Sequence, residues 1–289
     1  MIVPIKKIVS KAKAGHYAVG AFNTSNLEIT LAIVRAAVRQ KSPVIIQTSE
    51  SAIKYSNLQT LFNIITNLAN TIGKSVPIAI HLDHGKHLPV VQDCIKIGYN
   101  SVHIDASEKD FSTNVRLSKQ VAGWGHQKKI WVQAELGAIL GKEGLVKLKK
   151  CQLNMKELMT NPIEAKKFIA LTKVDTLAVS VGTLHGAFKG IEKVDQPLLK
   201  EINRLVKIPL VLHGGSGLSA GMFKQAIRNG ISVINIDTNL RLAFKQALQK
   251  TINQKSDLID PRKILGPATD NIQKEVEKMI KIFGSNNQA

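Results

Sequence analysis

The chain has 289 residues, of which 44% are hydrophobic, and 40 Lys and Arg against 21 Asp and Glu give a formal net charge of +19. Its length and apolar content are compatible with one barrel-sized domain spanning residues 1–289, and no linker-like stretch divides it. Two cysteines, Cys94 and Cys151, exclude a disulfide framework and point to free thiols in a reducing compartment, while no apolar stretch approaches the length of a membrane-spanning helix.

The positive charge is scattered, with one local cluster at Lys142, Lys147, Lys149 and Lys150. No aromatic platform is interleaved with the lysines and no zinc-finger or RNA-binding signature occurs, so we expect a solvated lysine-rich surface and no specific nucleic-acid partner. A positive field of this kind would attract a small phosphorylated substrate.

In chain order, MIVPIKKIVSKAKAGH reads as a short amphipathic helix and not as a signal peptide, which suits a cytoplasmic protein with no membrane association. Eight short apolar runs follow: YAVGAFN (17–23), PVIIQTS (43–49), VPIAIHLDH (76–84), SVHIDAS (101–107), KIWVQAEL (129–136), TLAVSVG (176–182), IPLVLHG (208–214) and SVINIDT (232–238). Near-continuous β-branched runs are the mark of parallel strands covered on both faces. Helical patterns separate most of them. Ser25 and Glu28 form a capping-box pair opening the first, and Leu58, Leu61, Phe62, Ile65, Leu68 and Ile72 stripe the second, which stops near Gly73. Pro197 suits the first turn of the sixth, Gly230 closes the seventh, and Leu240, Phe244, Ala247 and Leu248 mark the eighth. Eight such units predict an α/β fold of the (β/α)8 TIM-barrel type. Two segments exceed the minimal barrel: a long basic loop after strand 5, residues 137–160, of the kind that acts as an active-site lid, and an extra C-terminal helix after DPRK (260–263), which would close the barrel bottom or meet another subunit.

The chemistry gathers where the strands end. His84, His185 and His213 fall in the last residues of strands 3, 6 and 7, the end of a barrel at which catalysis occurs. A single histidine there is more often a hydrogen-bonded core residue; three at one mouth form a set of neutral imidazoles suited to catalytic Zn²⁺ with an open fourth position. Asp105 and Glu135 end strands 4 and 5 and would bind metal at a second position or orient the histidines, if they are not simply caps or salt-bridge partners. Asp83 is placed to exchange a proton with a substrate oxygen, or else to orient a histidine or cap a helix. Glu143, in the long loop, would reach the site only on closure. HGGSG (213–217) and NIDT (235–238) end strands 7 and 8, where barrels hold phosphate on backbone N–H groups. Gly214 and Gly215 allow close approach, Ser216 and Thr238 add hydroxyls, and Lys189 adds charge.

FNTSNLE (22–28), QTSES (47–51), HLDHG (81–85), IDAS (104–107), QAELG (133–137), VGTLHGAFKG (181–190), LVLHGGSG (210–217), NIDTNLRLAF (235–244) and DPRK (260–263) occur in this order over almost the whole chain. Together they resemble the class II, zinc-dependent fructose-bisphosphate aldolases of the wider ketose-bisphosphate aldolase family. The resemblance implies that His84, His185 and His213 bind the catalytic zinc, and that Asp105 and Glu135 correspond to a second position for a divalent metal or a monovalent cation. It makes Asp83 the proton donor and Glu143 the loop glutamate of proton transfer. Ser49, Gly186, Lys189, Gly214, Ser216, Asn235, Ile236, Asp237 and Thr238 match positions that hold the dihydroxyacetone-phosphate half. Arg262 matches an arginine that reaches the distal phosphate from a neighbouring subunit, which implies a homo-oligomer, a dimer or a tetramer. The implied reaction is glycolytic and gluconeogenic: reversible cleavage of fructose 1,6-bisphosphate through a zinc-polarised carbonyl. Asp237 favours fructose over tagatose specificity. A tagatose-bisphosphate or other ketose-bisphosphate aldolase, or a catalytically weak surface-interaction protein, are the alternatives. The chain departs from the family pattern at Leu140 and Gly144 in the loop, at Gln133 where glutamate is common, and at Ala106 where glycine is common.

Overall fold

The structure, a computed structural model, describes residues 1–139, 158–184, 186, 193–254 and 256–289. Eight parallel strands close into a barrel in sequence order, each paired with the next and β1 returning to pair with β8. They are β1 (Val19–Asn23), β2 (Val44–Ser49), β3 (Ile78–Gly85), β4 (Ser101–Ile104), β5 (Trp131–Leu136), β6 (Thr176–Val179), β7 (Leu210–Leu212) and β8 (Ile231–Ile236). Each lies inside or closely along one of the eight apolar runs. The strands are buried almost throughout, as expected when helices cover the outside and side chains fill the inside.

The helices are α1 (Ile5–Gly15), α2 (Leu27–Gln40), α3 (Glu50–Ser56), α4 (Leu58–Asn70), α5 (Leu88–Ile97), α6 (Phe111–Gln127), α7 (Pro162–Thr172), α8 (Gln196–Leu205), α9 (Ala220–Arg228), α10 (Thr238–Gln254) and α11 (Pro261–Phe283). Three features differ from expectation. α2 is capped by Asn26, whose Oδ1 accepts from the Ile29 N–H at 3.0 Å, so the helix starts too late for Ser25 to be its cap. A further short helix, α3, precedes the Leu58 stripe; Ser49 caps it and turns the chain at the end of β2. The barrel bottom is closed by α1, not by α11. Ile5, Ile8, Val9 and Ala12 of α1 pack with Val19, Ala21, Ile45, Ala79, Val211 and Val233 of the barrel interior. α11 lies on the wall against α2 and α10, burying Ile272, Val276, Met279, Ile280 and Phe283.

Within the barrel the side chains change character with height. Above the apolar layer over α1, a two-residue step along each strand brings Asn23, Gln47, His81, Gln133 and Asn235 inward, all buried. Level pairing of β2 with β3, from Val44 opposite Ile78 to Ser49 opposite Asp83, carries those strands to the mouth together. Between β3 and β4 the register shifts between Leu82 and Gly85, and His84 within that bulge takes a left-handed φ of 47°. Cys94 is a buried free thiol on α5, whereas Cys151 and the lysine cluster at 142–150 lie outside the described residues. No described helix is long and apolar enough to cross a membrane.

Candidate active site

The bulge in β3 places Asp83 and His84 side by side at the mouth. Asp83 is 2% exposed and collects three side-chain amides: Asn23 from β1 donates to Oδ2 at 2.8 Å, Gln47 from β2 to Oδ2 at 3.3 Å, and Asn235 from β8 to Oδ1 at 3.1 Å. Burial works to raise its pKa. The adjacent His84 and the Asn23 donor outweigh burial, so the carboxyl titrates below its ordinary value.

His84 is the hub. Its Nδ1 lies 2.7 Å from Asp105 Oδ2 and its Nε2 3.0 Å from His213 Nδ1, with Asp83 Oδ1 3.8 Å away. A carboxylate on one ring nitrogen turns the other toward the neighbouring donors, the arrangement that orients metal-bound imidazoles. Burial opposes protonation of His84, but Asp83, Asp105 and Glu135 raise its pKa well above the ordinary value. Asp105 titrates below its usual range: burial opposes this, and the His84 hydrogen bond is the largest of the effects that lower it. Glu135, from β5, goes the other way, pushed up to about 8 by burial and then by the charge of Asp105.

His84, His103, Glu135 and His213 each offer a ligand atom, and these atoms all lie within 4.8 Å of one another. His213 Nδ1 stands 3.7 Å from Glu135 Oε2, close to the roughly 3.3–3.6 Å that separates ligands set tetrahedrally about 2.0–2.2 Å from a zinc-sized ion. The buried Glu135 Oε2 has no hydrogen-bond partner among the described residues, and three carboxylates converge on one imidazole. A cation would satisfy both features, and the mixed imidazole and carboxylate donors fit a divalent metal.

The second half of the pocket is a backbone cradle. Gly214 sits at φ 69°, where a Cβ would lie 2.6 Å from the Leu184 carbonyl oxygen, so only glycine allows the chain to turn there. Gly215–Gly217 then form one 3₁₀ turn before α9. Asp83, His84, His213, Gly186, Gly214, Gly215, Ser216, Asn235, Asp237 and Thr238 line one pocket, joined by Asn23. Asp237 is tied to Arg241 at 2.6 Å; burial raises its pKa and Arg241 counteracts this.

Three other expected residues, Ile236, Ser49 and Arg262, do not line that pocket. Ile236 turns its side chain into the core, leaving only its backbone for a ligand. Ser49 is buried at the start of α3, bonded to Ser51 at 2.8 Å. Arg262 begins α11, exposed and paired with Asp260. His185, Glu143 and Lys189 lie outside the described residues. Reading the sequence missed Asn23, Gln47 and His103. His103 had a usable signal, since the period of two in SVHIDAS puts it on the same face as Asp105. The two amides had none, being polar residues inside apolar runs whose partners come from other strands.

The chain as a whole matches known proteins. The family model described as fructose-bisphosphate aldolase class-II covers residues 3–288. A fructose-bisphosphate aldolase of Thermus caldophilus is 41% identical over 99% of both chains, and one of Geobacillus stearothermophilus is 38% identical over 100% of this chain and 99% of its own. Among solved structures, the YdjI aldolase of Escherichia coli K12 superposes with a TM-score of 0.86 at 30% identity, covering 100% of both chains. The chain belongs to the class II fructose-bisphosphate aldolase family, whose metal dependence the group of His84, His103, Glu135 and His213 fits.

Proposed function

We propose that the protein is a zinc-dependent aldolase that reversibly splits fructose 1,6-bisphosphate into dihydroxyacetone phosphate and glyceraldehyde 3-phosphate. One observation carries this reading: an amide-held Asp83 carboxyl, kept below its ordinary pKa by His84 and the Asn23 donor, lies in the same pocket as the metal-type group and the Gly214–Ser216 cradle. His84 and His213, with His185 as the third imidazole, are proposed to hold the zinc, while Asp105 and Glu135 serve it directly or at a second cation position. When bound, the metal supplies positive charge that polarises the C2 carbonyl and offsets the charge left as the bond breaks.

The protein's own groups do the rest. In the cleavage direction Asp83 takes the proton of the C4 hydroxyl as the C3–C4 bond breaks, and its amide donors hold it as the carboxylate that this role requires. Backbone N–H groups of Gly214–Ser216 and of Asn235–Thr238, with Ser49, Gly186 and Lys189, bind the dihydroxyacetone-phosphate half. Glu143 returns a proton to carbon when the loop closes. Arg262 is proposed to meet the distal phosphate from a neighbouring subunit, which makes the active form a homo-oligomer, a dimer or a tetramer. A cytoplasmic location follows from the same reading.

Aldol cleavage by the purified protein tests this. EDTA should abolish the activity and Zn²⁺ restore it, and borohydride with substrate should not inactivate. A trapped lysine adduct would overturn the mechanism. Absence of cleavage in zinc-loaded protein would overturn the function in favour of a binding protein.

A further inference from the structure

We propose that His103 is a positioning residue that holds the Glu135 carboxylate for the metal and is not itself a metal ligand. The inference rests on reading the His84–Glu135–His213 group as the metal site.

The bulge in β3 supplies the first half of the argument. Pairing with β4 runs through Leu82 opposite Val102 and resumes at Gly85 opposite Ile104, so His84 falls outside the ladder. Its backbone N–H finds an acceptor in a side chain instead, His103 Nδ1 at 3.3 Å. A backbone N–H can only donate. Nδ1 must therefore present its lone pair, and in a neutral imidazole the single proton then sits on Nε2. The ring is 0% exposed, an environment that strongly disfavours a second proton on it. The Gln133 amide beside His213 imposes no such constraint, because it can be turned over to offer its oxygen to an Nε2–H, while the Asn235 nitrogen is committed to Asp83.

The second half concerns where that proton points. His103 Nε2 has no hydrogen-bond partner among the described residues, and neither has Glu135 Oε2, the atom 4.0 Å away. Movement of about 1 Å brings donor and acceptor to hydrogen-bond length. A carboxylate oxygen has two lone-pair directions, one for the His103 N–H and one for the metal. For His103 to ligate the metal through Nε2, its proton would have to move to Nδ1, against the His84 N–H, leaving a buried donor unpaired. The ring is also wedged against His84 and His213, with centroids 5.0 Å and 5.4 Å away, so it holds its place without a metal bond.

The full-length protein, stripped of metal and titrated with Zn²⁺ against a chromophoric chelator, tests the assignment. His103→Leu keeps much of the bulk and loses both polar contacts; we expect its zinc affinity to fall 10- to 100-fold. His103→Gln can accept from the His84 N–H and donate to Glu135, so it should bind close to wild type, and its Co²⁺ form should show the wild-type visible absorption spectrum. Should His103→Leu fail to fold, as judged by its thermal melt, His103→Met carries the same expectation. Two results overturn the proposal: an apolar variant that binds zinc as tightly as wild type, or a His103→Gln protein whose Co²⁺ spectrum reports a lost imidazole, which would make His103 a ligand. Wild-type protein that binds no zinc would instead sink the metal-site reading beneath it.

Discussion

The Asn235 amide donates to Asp83 Oδ1 at 3.1 Å, tying the end of β8 to the end of β3 across the barrel mouth. With Asn23 and Gln47 on the other oxygen, strands β1, β2 and β8 all hold one carboxylate. Such donors favour the ionised form and fix its direction. Asp83→Asn keeps the shape and removes the proton acceptor. We expect kcat and kcat/KM to fall together by about 10²- to 10⁴-fold with zinc content unchanged. Asn23→Ala removes a donor to the charged form, so the Asp83 pKa should rise and the acid limb of the kcat/KM profile should move to higher pH. An acid limb that stays in place would show that Asp83 does not set it.

Metal binding should be steeply pH-dependent, and the sign follows from two groups. His84 has a raised pKa and must lose its proton before Nε2 can bind a cation. Glu135, pushed up to about 8, must likewise ionise. Both changes release protons, so zinc affinity should weaken as pH falls from about 8, with proton release on binding measurable in weakly buffered solution. Affinity that is flat between pH 8 and 6 would contradict the raised values.

The outcome at α2 shows where sequence reasoning succeeds and where it stops. Periodicity gave the eight strands and their order, because parallel strands buried on both faces leave continuous apolar runs that few other elements imitate. Ser25 reads as the cap because Ser25 and Asn26 are both good caps, and only the extended backbone at Asn26 (φ −154°, ψ 178°) decides between them. Asn26→Ala should therefore cost about 1 kcal/mol in urea unfolding, and Ser25→Ala within about 0.5 kcal/mol of nothing. The reverse order would restore the capping box.

The same contrast holds inside the site. His84, Asp83 and His213 are legible only as a set, because one ionisable residue ending an apolar strand has common structural uses and several at one mouth do not. Gln47 and Asn23 did not, since their value lies in a carboxylate that is 36 and 60 positions away in sequence. The role of α1 as the bottom plug was equally hidden: its amphipathic stripe gives a buried face but not the partner that buries it.

Arg262 offers the most direct test of a shared site. It stands in the first turn of α11, where the helix dipole disfavours a cation, and its side chain is 89% exposed. Its local partner is Asp260, with Nε and a terminal nitrogen each 3.0 Å from the carboxylate oxygens, and an ion pair so open to water contributes little. The exposed fork with Asp260 is a weak local use for an arginine, and the same guanidinium is well matched to a phosphate dianion bound in another subunit. Arg262→Ala should raise KM for fructose 1,6-bisphosphate about 10- to 100-fold, the loss of one charge-assisted contact, while leaving dihydroxyacetone-phosphate binding and the thermal midpoint unchanged. Arg262→Lys should recover part of the loss, since it keeps the charge but not the fork. Analytical ultracentrifugation run alongside the assay should find activity only in dimers or larger species. A fully active monomer, or an unchanged KM in the alanine variant, would remove Arg262 from the site. Equal kcat/KM for the fructose and tagatose bisphosphates would separately sink the sugar assignment.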